Sequence, residues 1–285
     1  ITGARLFFVS IPPKNGRYEI ATGMIHDSGI NEFFYTQGSK KRMKRIKELF
    51  LKNSQDNFDT LREHIAFLLE RAYQISDKSV NEKLKDYLKF RPYLLNGITP
   101  LKHPVIYEHL SRDDFADQSL TPSLLKRLFN HKSMEKWILL PDEMEPLMTG
   151  LEEVENSPLH LTPEQKMERK AQIKKNTMGS IFTPERIDNL KFNLEEMAYF
   201  LYKKQEVEIA KIALMASQSL EDDKNLSLYG TAPFLDELIE KSIYYYKHLY
   251  HEWLDKKEQK APSSGLIICL LYTSPSPRDL STTRM

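Results

Sequence analysis

The sequence predicts an α+β fold, mainly α: a small N-terminal antiparallel β-meander followed by a helical domain of helix hairpins. Three observations carry that prediction. Residues 1–38 hold short β-branched and aromatic runs cut by two turn signals, whereas after Gly38 the apolar spacing changes from two residues to 3.6. Further on, Thr121-Pro122, Thr162-Pro163 and Thr183-Pro184 each set a capping hydroxyl before a proline. Proline suits the first helical position because its missing amide hydrogen has no intrahelical partner there. The expected division is 1–38 as the meander, read as the end of a truncated domain, 39–260 as the helical domain, and 261–285 as a non-native or disordered tail.

Leu6 to Ile11 forms the first expected strand, ended by Pro12 and Pro13, and Lys14-Asn15-Gly16 supplies hairpin turn chemistry. Tyr18 to Ile25 is the second and Ile30 to Thr36 the third, with Asp27-Ser28-Gly29 between them. In the middle strand Tyr18, Ile20, Thr22 and Met24 share one face and Glu19, Ala21, Gly23 and Ile25 the other, so one face belongs to the core. A helix must cover it, because three strands alone are marginal. Met43, Ile46, Leu49 and Phe50 then mark the apolar stripe of a first helix. A second is expected from Asp59 to Ile75 on Leu61, Ile65, Leu68, Leu69 and Ala72. A third starts at Ser79, whose spacing to Glu82 is a capping box, and should end before Pro92. Residues 92–120 read as irregular. Residues 137–161 hold six acids and no Lys or Arg, which reads as a surface loop with a short helix. From Thr183 to about Lys260 the chain reads as helix, broken near Gln205, at Asp222 to Asn225, and at Gly230 to Pro233.

Composition narrows the classes. The 285 residues are 40% hydrophobic and 28% charged, enough apolar mass for a core and too much for a disordered chain. Forty-one Lys and Arg face 40 Asp and Glu, a net charge of +1. No run approaches the roughly 20 apolar residues of a membrane span, so no membrane partner is expected. The chain opens on Ile1 with a strand signal already at Ala4, and we expect a fragment. Leu266 to Tyr272, followed by Thr273-Ser274-Pro275-Ser276-Pro277-Arg278-Asp279, resembles translated vector read-through and is set aside from the fold. The one cysteine, Cys269, lies in that tail, and a cytoplasmic protein is the expectation.

The common catalytic signatures are missing: G-x-S-x-G, the P-loop, G-x-G-x-x-G and H-E-x-x-H. With only ten glycines, backbone cradling of a pyrophosphate is disfavoured, and no cofactor is expected. Two clusters remain as candidate sites. Lys40, Lys41, Arg42, Lys44, Arg45 and Lys47 fall within eight residues. On a wheel Lys40, Lys41, Lys44, Arg45, Lys47 and Lys52 share an arc of about 160°, which can engage phosphates or an acidic protein surface. His103, Glu108, His109, Asp113 and Asp114 put five ligand-type side chains within twelve residues, the donor set of a divalent-metal site. His26-Asp27-Ser28 mimics a catalytic relay but reads as turn chemistry.

One architectural signal lies near the C-terminal third. Leu194, Met197, Ala198 and Leu201, then Ala210, Leu214 and Ser217, occur at the offsets of a tetratricopeptide unit, with small residues where two helices approach. About 34 residues resemble that family. The first large aromatic, the closing proline and a second copy are missing. The resemblance implies a helical hairpin that meets protein. The expected function is therefore a non-catalytic protein-binding or scaffold module. A nucleic-acid-associated protein using the basic helix 40–52 ranks second, and a metal-dependent hydrolase built on residues 103–114 third.

Overall fold

Alternating apolar residues in the first 38 positions pair as a meander because each strand buries one side. In the computed structural model, which describes residues 3–13, 16–53, 57–78, 82–111, 115, 119–157, 160–222 and 232–258, β1 (Arg5–Ile11), β2 (Tyr18–His26) and β3 (Gly29–Gly38) form one antiparallel sheet in that order. Phe7, Gly23 and Phe33 stand opposite one another, as do Val9, Ala21 and Tyr35. Gly23 lies between the Phe7 and Phe33 rings, 5.5 Å apart, where a methyl group would strike the Glu32 carbonyl. Gly29, at φ +114°, closes the β2–β3 turn against Ser76, whose hydroxyl accepts from the Ile30 amide at 2.9 Å. Backbone at that φ favours glycine.

Nine α-helices follow among the described residues, so the fold is α+β and mainly α. α1 (Lys40–Asn53) lies on the outer face of the sheet, where Phe50 meets Phe8 at 5.9 Å. α2 (Arg62–Ile75) and α3 (Glu82–Leu95) cover the inner face. Their shared core holds Phe7, Ala21, Ile25, Phe33, Leu69, Tyr87, Phe90 and Leu94, with Phe33 edge-on to Tyr87 at 5.4 Å. Each large buried apolar side chain contributes about 1.5–3 kcal/mol. The meander expected as residues 1–38 therefore shares its core with helices, and residues Ile1–Tyr244 cluster as one compact unit.

Three local expectations are corrected. α2 begins at Arg62 and buries His64, Ala66, Leu68, Leu69 and Ala72, while Leu61 is exposed, because His64 finds polar partners inside. α3 runs through Pro92 instead of stopping before it. Buried Phe90 and Leu94 hold the turn on either side of the proline. Arg62 donates to the carbonyls of Tyr93, Leu94 and Asn96 and so closes the helix end. Ser79 lies outside the described residues. The acidic stretch is also more ordered than expected. α5 (Pro141–Glu155) buries Met144, Leu147 and Val154, and Glu143 accepts from the Leu140 amide at 2.7 Å to start the helix.

The three Thr-Pro starts appear as expected. Thr121, Thr162 and Thr183 accept from the amides three residues on, at 3.2 to 3.3 Å, and open α4 (Pro122–Phe129), α6 (Pro163–Ile181) and α7 (Pro184–Lys203). Such caps contribute about 1 kcal/mol each. α7 and α8 (Val207–Asp222) form a hairpin, with Ala198, Ala210 and Ser217 fully buried in it. The turn between them is a Schellman motif: the Glu206 amide donates to Leu201 O and the Gln205 amide to Tyr202 O, both at 2.9 Å, with Gln205 at φ 65°. α9 (Pro233–Glu258) contributes Phe234, Leu235, Leu238 and Ile239 to the core. A second unit, Tyr245–Met285, begins within α9, and the tail from Leu266 lies outside the described residues. No helix among the described residues is long and apolar enough to cross a membrane.

Candidate functional site

Lys, Arg, Met, Leu and Glu favour helix, and α1 starts where Ser39 accepts from the Arg42 amide at 3.4 Å. Met43, Ile46 and Phe50 face the sheet and are half-buried. Lys40, Lys41, Lys44, Arg45, Lys47 and Lys52 are all exposed, and none forms an ion pair among the described residues. Locally this arrangement is unfavourable. The first turn carries no acid, so its cations oppose the positive end of the helix dipole, a cost of roughly 0.3–1 kcal/mol each. Lys40 with Lys44, and Lys41 with Arg45, repel at the four-residue spacing, and the one acid of this face, exposed Glu48, stands four residues from Lys44 and from Lys52 without forming an ion pair to either. A carboxylate-bearing or phosphate-bearing partner would relieve both costs.

Apolar side chains stand beside these charges. Leu51 is 40% exposed and falls inside the basic arc, and Leu49, 53% exposed, flanks it. The sheet register puts Phe34 on the same side as Phe8, and hence on the α1 side, where it is 59% exposed; Leu6 is 58% exposed there. α1 thus leaves part of the outer sheet face uncovered.

A second constellation was not foreseen from sequence. His64 Nε2 bonds Glu196 Oε2 at 2.9 Å, its Nδ1 lies 2.9 Å from Thr60 Oγ1, and that hydroxyl lies 2.9 Å from Tyr199 OH. Beside it Arg5 donates to Asn193 Oδ1 at 2.6 Å, Asn193 donates to both oxygens of Asp27, and Arg186 lies 3.7 Å from Asp27 and 3.1 Å from Glu143. Burial lowers the Arg5 pKa from its ordinary value, while the carboxylates of Glu196 and Asp27 pull it back up. Hydroxyl, imidazole and carboxylate follow one another as in a nucleophilic triad. Here, however, His64 is 2% exposed, Tyr199 is 1% exposed, and Tyr199 holds the Thr60 hydroxyl. The chain of bonds fastens the sheet and α2 to α7. Two signals in the sequence mark it: Arg5 shares the inward parity of Phe7 and Val9, and Asn193, Glu195 and Glu196 interrupt an apolar helix.

Of the residues expected to hold a metal, His103, Glu108 and His109 are described. His103 is exposed, with Nδ1 at 3.2 Å from Pro104 O, and Glu108 is exposed. His109 stacks on Tyr202 at 4.9 Å and on Tyr199 at 5.9 Å. Asp113 and Asp114 lie outside the described residues. Among the described residues no three His, Cys, Asp or Glu side chains gather to hold a metal ion. His26 Nδ1 meets Ser28 Oγ at 2.8 Å while Asp27 turns to Asn193, which is turn chemistry. Neither protein-family models, nor curated proteins, nor solved structures match this chain.

Proposed function

We propose that the chain is a non-catalytic protein-interaction module whose contact face is α1 with the uncovered part of the sheet. Its partner is a protein surface that sets carboxylates beside apolar side chains. One observation carries this reading: six exposed cations without ion pairs share a helix face with Leu51, Leu49 is exposed at the flank of that face, and Phe34 is exposed on the sheet face that carries α1. Phosphate would satisfy the cations alone. An acidic, partly apolar protein surface would also take Leu49, Leu51 and Phe34 out of water, at roughly 25 cal/mol per Å² of apolar area. The α7–α8 hairpin is less suited to this task, because both its helices are buried over most of their circumference. The same reading puts the protein in the cytoplasm, since residues 1–260 carry no cysteine for an oxidising compartment to pair.

The test is fluorescence anisotropy with a labelled Glu/Leu amphipathic peptide and with a single-stranded and a duplex RNA. The parent is compared with the Lys41→Gln, Lys44→Gln, Arg45→Gln variant. Surface pairs contribute only about 0–1 kcal/mol, so the variant should fold. The expected result is peptide binding that weakens at least tenfold in the variant, with no RNA binding at about 0.15 M salt. Submicromolar RNA binding that the variant loses would replace this reading with the nucleic-acid one.

A further inference from the structure

We infer that the acidic surface α1 meets is α5 of a second copy of this chain, so that the protein associates with itself by helix α1 against helix α5. The inference rests on α1 being a contact face, and it adds the identity of the partner.

Of the six acids in the acidic stretch, two have partners within the chain. Glu143 caps its own helix and pairs with Arg186, and Glu155 pairs with Lys170 and, at 3.6 Å, with Lys166 of α6. The other four, Asp142, Glu145, Glu152 and Glu153, are exposed and form no ion pair among the described residues. At 100° per residue they fall within an arc of about 100°. Pro146 is exposed next to that arc, and Leu140, exposed, precedes the helix. One chain therefore carries an unpaired basic helix face and an unpaired acidic helix face, each set with apolar side chains. They do not satisfy each other within the chain.

A second copy supplies what each face lacks. α1 has 14 residues and α5 has 15, so the helices match in length at about 21 and 22 Å. An antiparallel crossing fits their charge distribution. It sets Lys40, Lys41, Lys44 and Arg45, crowded at the start of α1, against Glu152 and Glu153 at the end of α5. The negative end of the α5 dipole then offsets the positive end of α1, which the α1 cations otherwise oppose. Lys52 falls towards Asp142. The acidic end also borders an open groove of about 480 Å³, lined by Thr149, Glu152, Glu153, Asn156 and Ser157, which can receive long basic side chains. With a net charge of +1, two copies approach without long-range repulsion.

Sedimentation velocity of the nuclease-treated full chain between about 5 and 200 µM tests the inference. At about 0.05 M salt the mass should rise with concentration, and at about 0.5 M salt, where the screening length falls below about 5 Å, it should return to the monomer. The Lys41→Gln, Lys44→Gln, Arg45→Gln variant and a Glu145→Gln, Glu152→Gln, Glu153→Gln variant should each stay monomeric at low salt, with circular dichroism confirming that both fold. Zero-length carbodiimide coupling should join a lysine of α1 to Glu152 or Glu153 in the dimer band. A parent that stays monomeric throughout, a mass indifferent to both variants, or couplings that exclude these pairs would overturn self-association. If the parent is monomeric yet binds the Glu/Leu peptide through α1, only the identity of the partner falls. Loss of both results removes the contact face as well.

Discussion

Gln205 and Glu70 show how single side chains here trade local cost against context. Gln205 takes the left-handed position that ends α7, where glycine is unstrained. Its φ of 65° lets two amides reach the last carbonyls of the helix, so the turn survives with a residue that adopts it unwillingly. Gln205→Gly should therefore stabilise the protein by about 1 kcal/mol in a denaturant melt; a loss of stability would show that the Gln side chain contributes something the backbone does not. Glu70 is held below the usual carboxylate range mainly by its two hydrogen bonds from Arg91, at 2.6 and 2.8 Å. Tyr87 adds a third donor and burial opposes. A depressed folded pKa means that the pair stabilises the fold above the unfolded value, about 4.3, and that this contribution fades as pH falls through the folded value. Arg91→Gln should cost more at pH 7 than at pH 3, read from melts at both pH values. Equal costs would refute the linkage.

Among the elements, α1 stands apart because it is held on one side only. None of residues 40–52 of α1 is fully buried, and its anchors Met43, Ile46 and Phe50 are half-buried against the sheet. By contrast α7 sinks Leu190, Leu194, Ala198 and Leu201 completely. Local opening free energy follows buried apolar contact. Native-state hydrogen exchange should therefore find the α1 amides exchanging through openings several kcal/mol below the global value, with Phe50→Ala lowering protection in α1 alone. Protection in α1 equal to that in α7 would contradict this. A weakly docked helix with uncompensated charges is also one that a partner can stabilise by binding it, which ties the energetics of the element to the proposed function.

At the scale of the whole molecule, residues Ile1–Tyr244 form one unit because polar and apolar links both cross from sheet to helices. Phe7 and Phe33 share a core with α2 and α3, and Arg5 and Asp27 meet Asn193 of α7. Breaking the sheet would expose that core and forfeit the hydrogen bonds that join Arg5 and Asp27 to Asn193, about 1.5–3 kcal/mol for each bond to a charged group. Unfolding should accordingly appear as one transition, coincident by circular dichroism and tryptophan fluorescence; an early, separate loss of the strand signal would mark the meander as independent. By itself the sequence determined what depends on neighbours a few residues away. Period-two alternation placed the three strands, the Thr-Pro pairs placed three helix starts, and the cation spacing of residues 40–52 defined the basic arc. Tertiary structure decided whatever depends on partners distant in sequence. Helix α3 continues through Pro92 because Arg62 and buried neighbours offset the lost bond, and α5 is a full helix because its apolar side finds a surface to bury. Whether a charge stands free is decided in the same way. Arg5 and Glu196 are enclosed by groups more than a hundred residues away, while the cations of α1 are left facing outward, since pairing is a matter of distance in space and not in sequence.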